Sequence, residues 1–177
     1  MAIYMDFSGT EGAIGYISDG EPVIPVGVSI NAMPMSIKKK EWELYQQFAK
    51  DNDVYFLFED NIPTVDFYAV PRVDIVATDS AGGLIASVGE VFSLSESVPL
   101  IYISPKKTCF LITSDSTQFL SIASQWKKHL APYDGVTLYP SKEAAMADFP
   151  ITNVVDTPEY QELMKMTYEN KGKTRSK

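Results

Sequence analysis

The chain has 177 residues, 45% of them hydrophobic and 21% charged, a size and mixture that suit one self-folding globular domain and exclude fibrous and disordered classes. A formal charge of -8 and a pI near 4.6 would repel phosphate backbones, so the expectation is no nucleic-acid binding and a bias toward basic protein partners. No apolar run reaches the ~20 residues of a membrane span, Met1 to Phe7 lacks the pattern of a secretory signal, and the single Cys109 has no partner for an internal disulfide; a cytoplasmic protein without membrane association is expected.

Residues 3–7, 13–17 and 23–30 are three apolar runs separated by glycine-containing turns, which predicts a small antiparallel β meander within residues 1–30. Pro22 and Pro25 cannot donate ladder hydrogen bonds, so the third run is expected at an edge or only partly paired. From Ser36, a plausible N-cap, Ile37, Leu44, Tyr45, Phe48 and Ala49 recur at helical spacing and predict a helix over about residues 36–50, ended by Asp51-Asn52-Asp53.

Val54 to Phe58 is short and aromatic, the signature of a buried strand. Phe67 to Val70 and Val73 to Ala77 follow around Pro71, and Thr78 to Gly83 reads as a hairpin turn into Leu84 to Val88. Val98 to Ser104 and Thr108 to Thr113 form a second hairpin across Pro105-Lys106-Lys107. Turns this short predict antiparallel pairing.

Ser114-Asp115-Ser116 offers N-caps for a helix whose apolar face is Phe119, Ile122, Ala123, Trp126 and Leu130, closed by Lys127, Lys128 and His129 at its negative end. Ser141 to Phe149 predicts a short helix, and Thr157-Pro158-Glu159 begins another with proline at its first position. The predicted fold is therefore α+β: a mostly antiparallel sheet of about six strands packed by helices, in one domain over residues 1–169. Residues 170–177, with Lys171, Lys173, Arg175 and Lys177, read as a flexible basic tail.

Few residues offer catalytic chemistry. His129, the sole histidine, lies where helices carry a complementary cation, and Cys109 lies mid-strand among Phe110, Leu111 and Ile112, the setting of an inert buried thiol. One histidine and one cysteine cannot build a zinc shell, and the Asp51-x-Asp53 pair has Phe56 where a calcium loop needs glycine. Gly9, Gly12 and Gly15 match neither a dinucleotide nor a phosphate loop. No catalytic residue, cofactor or metal is expected. Asp74 and Asp79 converging in a cleft would be the one route to a carboxylate-only enzyme.

Charge placement is more informative: between Asp51 and Glu96 nine acids stand against Arg72 alone, mostly at strand ends and turns. Gathered at one sheet edge, Glu59, Asp60, Asp66, Asp74, Asp79 and Glu90 would form an acidic partner-binding patch that steers a basic protein. Exposed aromatics flanked by acids are the candidate anchors of such an interface.

The stretch Asp79-x-x-Gly82-Gly83, then Leu100-Ile101-Tyr102-Ile103-Ser104, Leu111-Ile112-Thr113 and Ser116-x-Gln118-Phe119-Leu120, resembles the central pattern of the SUKH superfamily, which includes Syd-like proteins and relatives of a fungal cell-wall regulator. The match covers about a third of the chain; Gln118 stands where that family often has an acid, and no "L-P-x-x-Y" entry motif is present. The resemblance implies a sheet packed by helices, no cofactor, no catalysis, and the role of a bacterial immunity protein that neutralises a basic protein toxin, such as a nuclease. Met1 to Gly9 is also similar, over that short stretch only, to the opening of the tube protein of type VI secretion systems, from which the helix content downstream departs. The alternative role is a structural component forming homo-oligomers or attaching to a larger machine.

Overall fold

In a computed structural model, which describes residues 3–8, 22–89 and 96–175, the apolar runs between Val54 and Thr113 pair into one sheet, except that Tyr68–Val70 pairs antiparallel with Thr137–Tyr139 in a two-stranded sheet of its own. In chain order the elements are β1 (Ile3–Asp6), β2 (Val23–Val26), β3 (Val28–Ile30), α1 (Met35–Asn52), β4 (Tyr55–Phe56), β5 (Tyr68–Val70), β6 (Val73–Thr78), β7 (Leu84–Val88) and β8 (Leu100–Ile103). There follow β9 (Cys109–Thr113), α2 (Phe119–Ile122), β10 (Ala131–Pro132), β11 (Thr137–Tyr139), α3 (Lys142–Met146), β12 (Ile151–Asn153) and α4 (Pro158–Arg175). The protein is α+β, and its main sheet is mostly antiparallel as expected. That sheet has the order β10-β9-β8-β7-β6-β3, with β4 also beside β6.

Both predicted hairpins form, β6 with β7 and β8 with β9. Side chains of β8 alternate between two cores: Ile101 and Ile103 face one, Leu100 and Tyr102 the other. Both faces are covered, so the strand is apolar throughout rather than alternating with polar residues. In β6 a bulge between Ile75 and Ala77 carries Val76 onto the same face as Ala77. That second face receives Phe48 from α1 and Phe119 and Trp126 from the segment after β9.

The expected N-terminal antiparallel meander is corrected. β1 runs parallel to β2, with Ile3 opposite Val23, and parallel to β12, with Tyr4 opposite Ile151. The chain between Asp6 and Val23 exceeds the dozen or so residues that a parallel crossover needs, so its length permits what short turns would forbid. The run 13–17, read as the middle strand, lies outside the described residues. The third run divides at Gly27, whose φ of 103° is cheap only for glycine. Its halves become edge strands of two sheets, β2 beside β1 and β3 beside β6, which accommodates Pro25 as expected.

Helix α1 starts one residue before Ser36, after an extended Pro34 that makes no side-chain cap, and stops where Asp53 turns left-handed and donates its N–H to the Ala49 carbonyl. It kinks at Glu41. The predicted single helix with Phe119 to Leu130 on its apolar face is instead a 3-10 turn (Ser116–Gln118), the short α2, and a second 3-10 stretch (Ala123–His129) with Gln125 out of helical geometry. Serine competes with the helix here, the Ser121 hydroxyl donating to the Gln118 carbonyl at 2.7 Å. The apolar face survives: Phe119, Ala123 and Trp126 are buried, and Asp115 caps the first turn through the Thr117 N–H. Helices α3 and α4 start as predicted, capped by Ser141 and Thr157, and α4 continues to Arg175 where a frayed tail was expected from Asn170.

Candidate functional site

Along α1, Trp42, Tyr45, Ala49 and Lys50 follow one another at intervals that place them on one side of the helix, and this side meets Tyr55, Phe56 and Phe58 of the β4 segment across a groove of about 620 Å³. The walls are aromatic and interlocked edge to face: Tyr45 lies 5.2 Å from Phe58 and 5.9 Å from Phe56, and Trp42 lies 6.0 Å from Phe58 between ring centroids. Such pairs hold one another in place beyond the area they bury. Trp42 and Tyr55 remain 39% and 44% exposed, large apolar surface left facing solvent at the groove.

One end of the groove carries a cation. Lys38 Nζ stands 4.5 Å from the Trp42 ring centroid and 5.5 Å from that of Phe58, and donates to Asp60 Oδ2 at 2.6 Å. Glu59 is exposed next to it, and Asn61 ties the loop by accepting the Phe58 N–H at 2.7 Å. The exposed Glu41 and Asp51 adjoin the lining residues Trp42 and Lys50 in sequence.

The other end is a polar network. The Ser80 hydroxyl and N–H both donate to Asp53, Lys127 bridges Asp53 and Asp79, and the Tyr102 hydroxyl donates to Asp79 at 2.9 Å. Burial opposes ionisation of Asp53, but the bonds from Lys127 and Ser80 together outweigh it and hold its carboxyl below the usual range. Lys127 is pushed up by its bond to Asp53. Burial, then the bond to Asp79, pushes the Tyr102 phenol well above the usual value, so it is a fixed donor at neutral pH. Asp79 also accepts the Gly83 N–H at 2.7 Å, closing the hairpin turn. This explains the Asp79-x-x-Gly82-Gly83 and Tyr102 pattern: one carboxylate satisfies turn, neighbouring strand and lysine together.

Of the six acids expected to form one patch, the five within the described residues stand in different settings. Asp74 is buried and accepts from Ser29 Oγ at 2.6 Å and Asn31 Nδ2 at 3.1 Å, tying β3 to β6. Asp79 is buried in the network above. A carboxylate so engaged supports the fold rather than facing a partner, and the pair does not converge in an open cleft. Asp66 is exposed and pairs with Lys107 at 3.0 Å, Glu59 and Asp60 flank the groove, and Glu90 lies outside the described residues.

His129 is exposed at the end of the second 3-10 stretch, and Cys109 is buried, its thiol pushed up by that burial. Among the described residues no three or more His, Cys, Asp or Glu side chains are grouped to hold a metal ion, and no helix is long and apolar enough to cross a membrane. Trp42, the most informative residue of the groove, shares the helical spacing of Tyr45 and Ala49 but stays exposed, and its position between Glu41 and Glu43 is the signal that marks it. Compared with protein families, with characterised proteins and with solved structures, the chain matches none.

Proposed function

We propose that this chain is a non-enzymatic binding protein of the SUKH type, an immunity protein that acts in the cytoplasm by occluding a basic protein toxin, such as a nuclease. The observation that carries the reading is the groove: exposed Trp42 and Tyr55 on a rigid aromatic wall, with Glu59 and Asp60 at its edge. Aromatic anchors ringed by polar groups have the composition of binding hot spots, and a net charge of -8 favours a basic partner through steering. The surface acids that matter are then Glu59 and Asp60 beside the groove, since Asp74 and Asp79 are committed to the interior and α1 itself carries Lys38, Lys39, Lys40 and Lys50.

Co-purification with the product of the neighbouring gene tests this. A stable complex is expected, with an association rate that falls about tenfold or more as salt rises from low to high ionic strength. Trp42→Ala should weaken the complex by about 2 kcal/mol or more, and Glu59→Lys with Asp60→Lys should slow its formation. An absent complex, or one indifferent to salt and to these changes, overturns the reading.

A further inference from the structure

We infer that the groove takes an arginine or lysine side chain of its partner, seated between Trp42, Phe58 and Asp60 in the place that Lys38 now occupies; this rests on the binding role proposed above and names its anchor. The recognition chemistry is already displayed by the chain on itself. Lys38 Nζ has two aromatic faces within 5.5 Å and a carboxylate oxygen at 2.6 Å. Two π faces and one anion are what an incompletely hydrated cation needs.

Lys38 is a weak tenant. It reaches Trp42 as a helical i, i+4 neighbour, and its ion pair joins side chains that are 20% and 42% exposed, the class of pair that contributes little to stability. Its stem is flexible, and an ammonium released to water regains full hydration, which offsets the contacts it gives up. An incoming guanidinium fits the site better than the resident ammonium, because its plane stacks on Trp42 while its fork meets both oxygens of Asp60. The walls are set beforehand: Phe58 is buried and braced by Tyr45, so little ordering accompanies binding. Lys38 thereby acts as an internal competitor that yields to a cation presented with further contacts along the groove.

The experiment uses the full chain titrated with an oligoarginine peptide amide at low salt, followed by calorimetry and by tryptophan emission. The chain has two tryptophans, and Trp126 is 1% exposed, so a change in emission reports on Trp42. Lys38→Met is expected to bind about fivefold tighter than the parent, and Asp60→Asn about tenfold weaker, with emission changing on binding in both the parent and Lys38→Met chains. These side chains are partly exposed, so circular dichroism should show each variant folded. Equal binding by parent, Lys38→Met and Trp42→Ala with unaltered emission overturns the seat while leaving an acidic-surface binder standing. Weaker binding by Lys38→Met overturns it too, and no binding by any of the chains overturns both.

Discussion

Gly83 shows how one atom governs a turn. A Cβ added there would lie 2.2 Å from the Tyr102 hydroxyl and 2.3 Å from its ring, so alanine cannot be accepted unless the ring moves and its bond to Asp79 breaks. Gly83→Ala should therefore cost about 1 to 3 kcal/mol of stability by chemical denaturation, the range for overpacked sites. Combined with Tyr102→Leu it should cost less than the two single changes added, because each acts through the same contact. Strict additivity would mean that the ring and the turn are not coupled. Asp79 illustrates the companion rule, that a carboxylate is tolerated inside when three donors meet it.

The segment after β9 holds its place through packing rather than through its own helicity. Trp126 is buried against Tyr102, at 5.3 Å between ring centroids, and its indole N–H donates to the Asn52 carbonyl at 2.7 Å. That carbonyl belongs to the last turn of α1, whose terminal acceptors have no partner inside the helix. One side chain thus fills the core and closes a helix end. Trp126→Phe keeps most of the apolar area and loses the donor, and should cost about 1 to 3 kcal/mol. Hydrogen exchange should rise more in the last turn of α1 than in β8; a uniform rise would show that the indole bond does not clamp the helix.

Across the whole molecule Asp6 joins the smaller sheets. It ends β1, is buried, and accepts from the Tyr68 hydroxyl of β5 at 2.6 Å and from Lys142 of α3 at 2.9 Å, while Lys142 also contacts Asn153 of β12. Burial raises the Asp6 pKa, but the bonds from Ser8, Tyr68 and Lys142 outweigh it, so the folded carboxyl titrates below its ordinary value. With the folded value depressed, the unfolded chain binds more protons between the two pKa values. The stabilisation is full above about pH 4 and is lost as pH falls through the folded value. Asp6→Asn should cost about 1 to 3 kcal/mol at neutral pH, and the gap between variant and parent should narrow on acidification. A gap that does not change with pH would remove Asp6 as the group responsible.

Much of this architecture was legible locally. The β6–β7 and β8–β9 hairpins, the starts of α3 and α4 and the buried face of Phe119, Ala123 and Trp126 follow from turn residues, caps and spacing, which act over a few positions. What tertiary structure alone decided is of longer range. The parallel pairing of β1 with β2 and β12 depends on which strands meet after long connections, and nothing in a strand's own residues names its partner. Likewise Asp74 and Asp79 look in sequence like Glu59 and Asp60; one pair is interior and the other borders the groove because Ser29, Asn31 and Tyr102 arrive from elsewhere in the chain to satisfy the first. The groove has the same origin, since Trp42 and Phe58 become one surface only when α1 lies against β4. Neighbours in sequence determine which elements form, whereas burial of charge and the assembly of a site depend on contacts between distant residues that only the packed chain brings together.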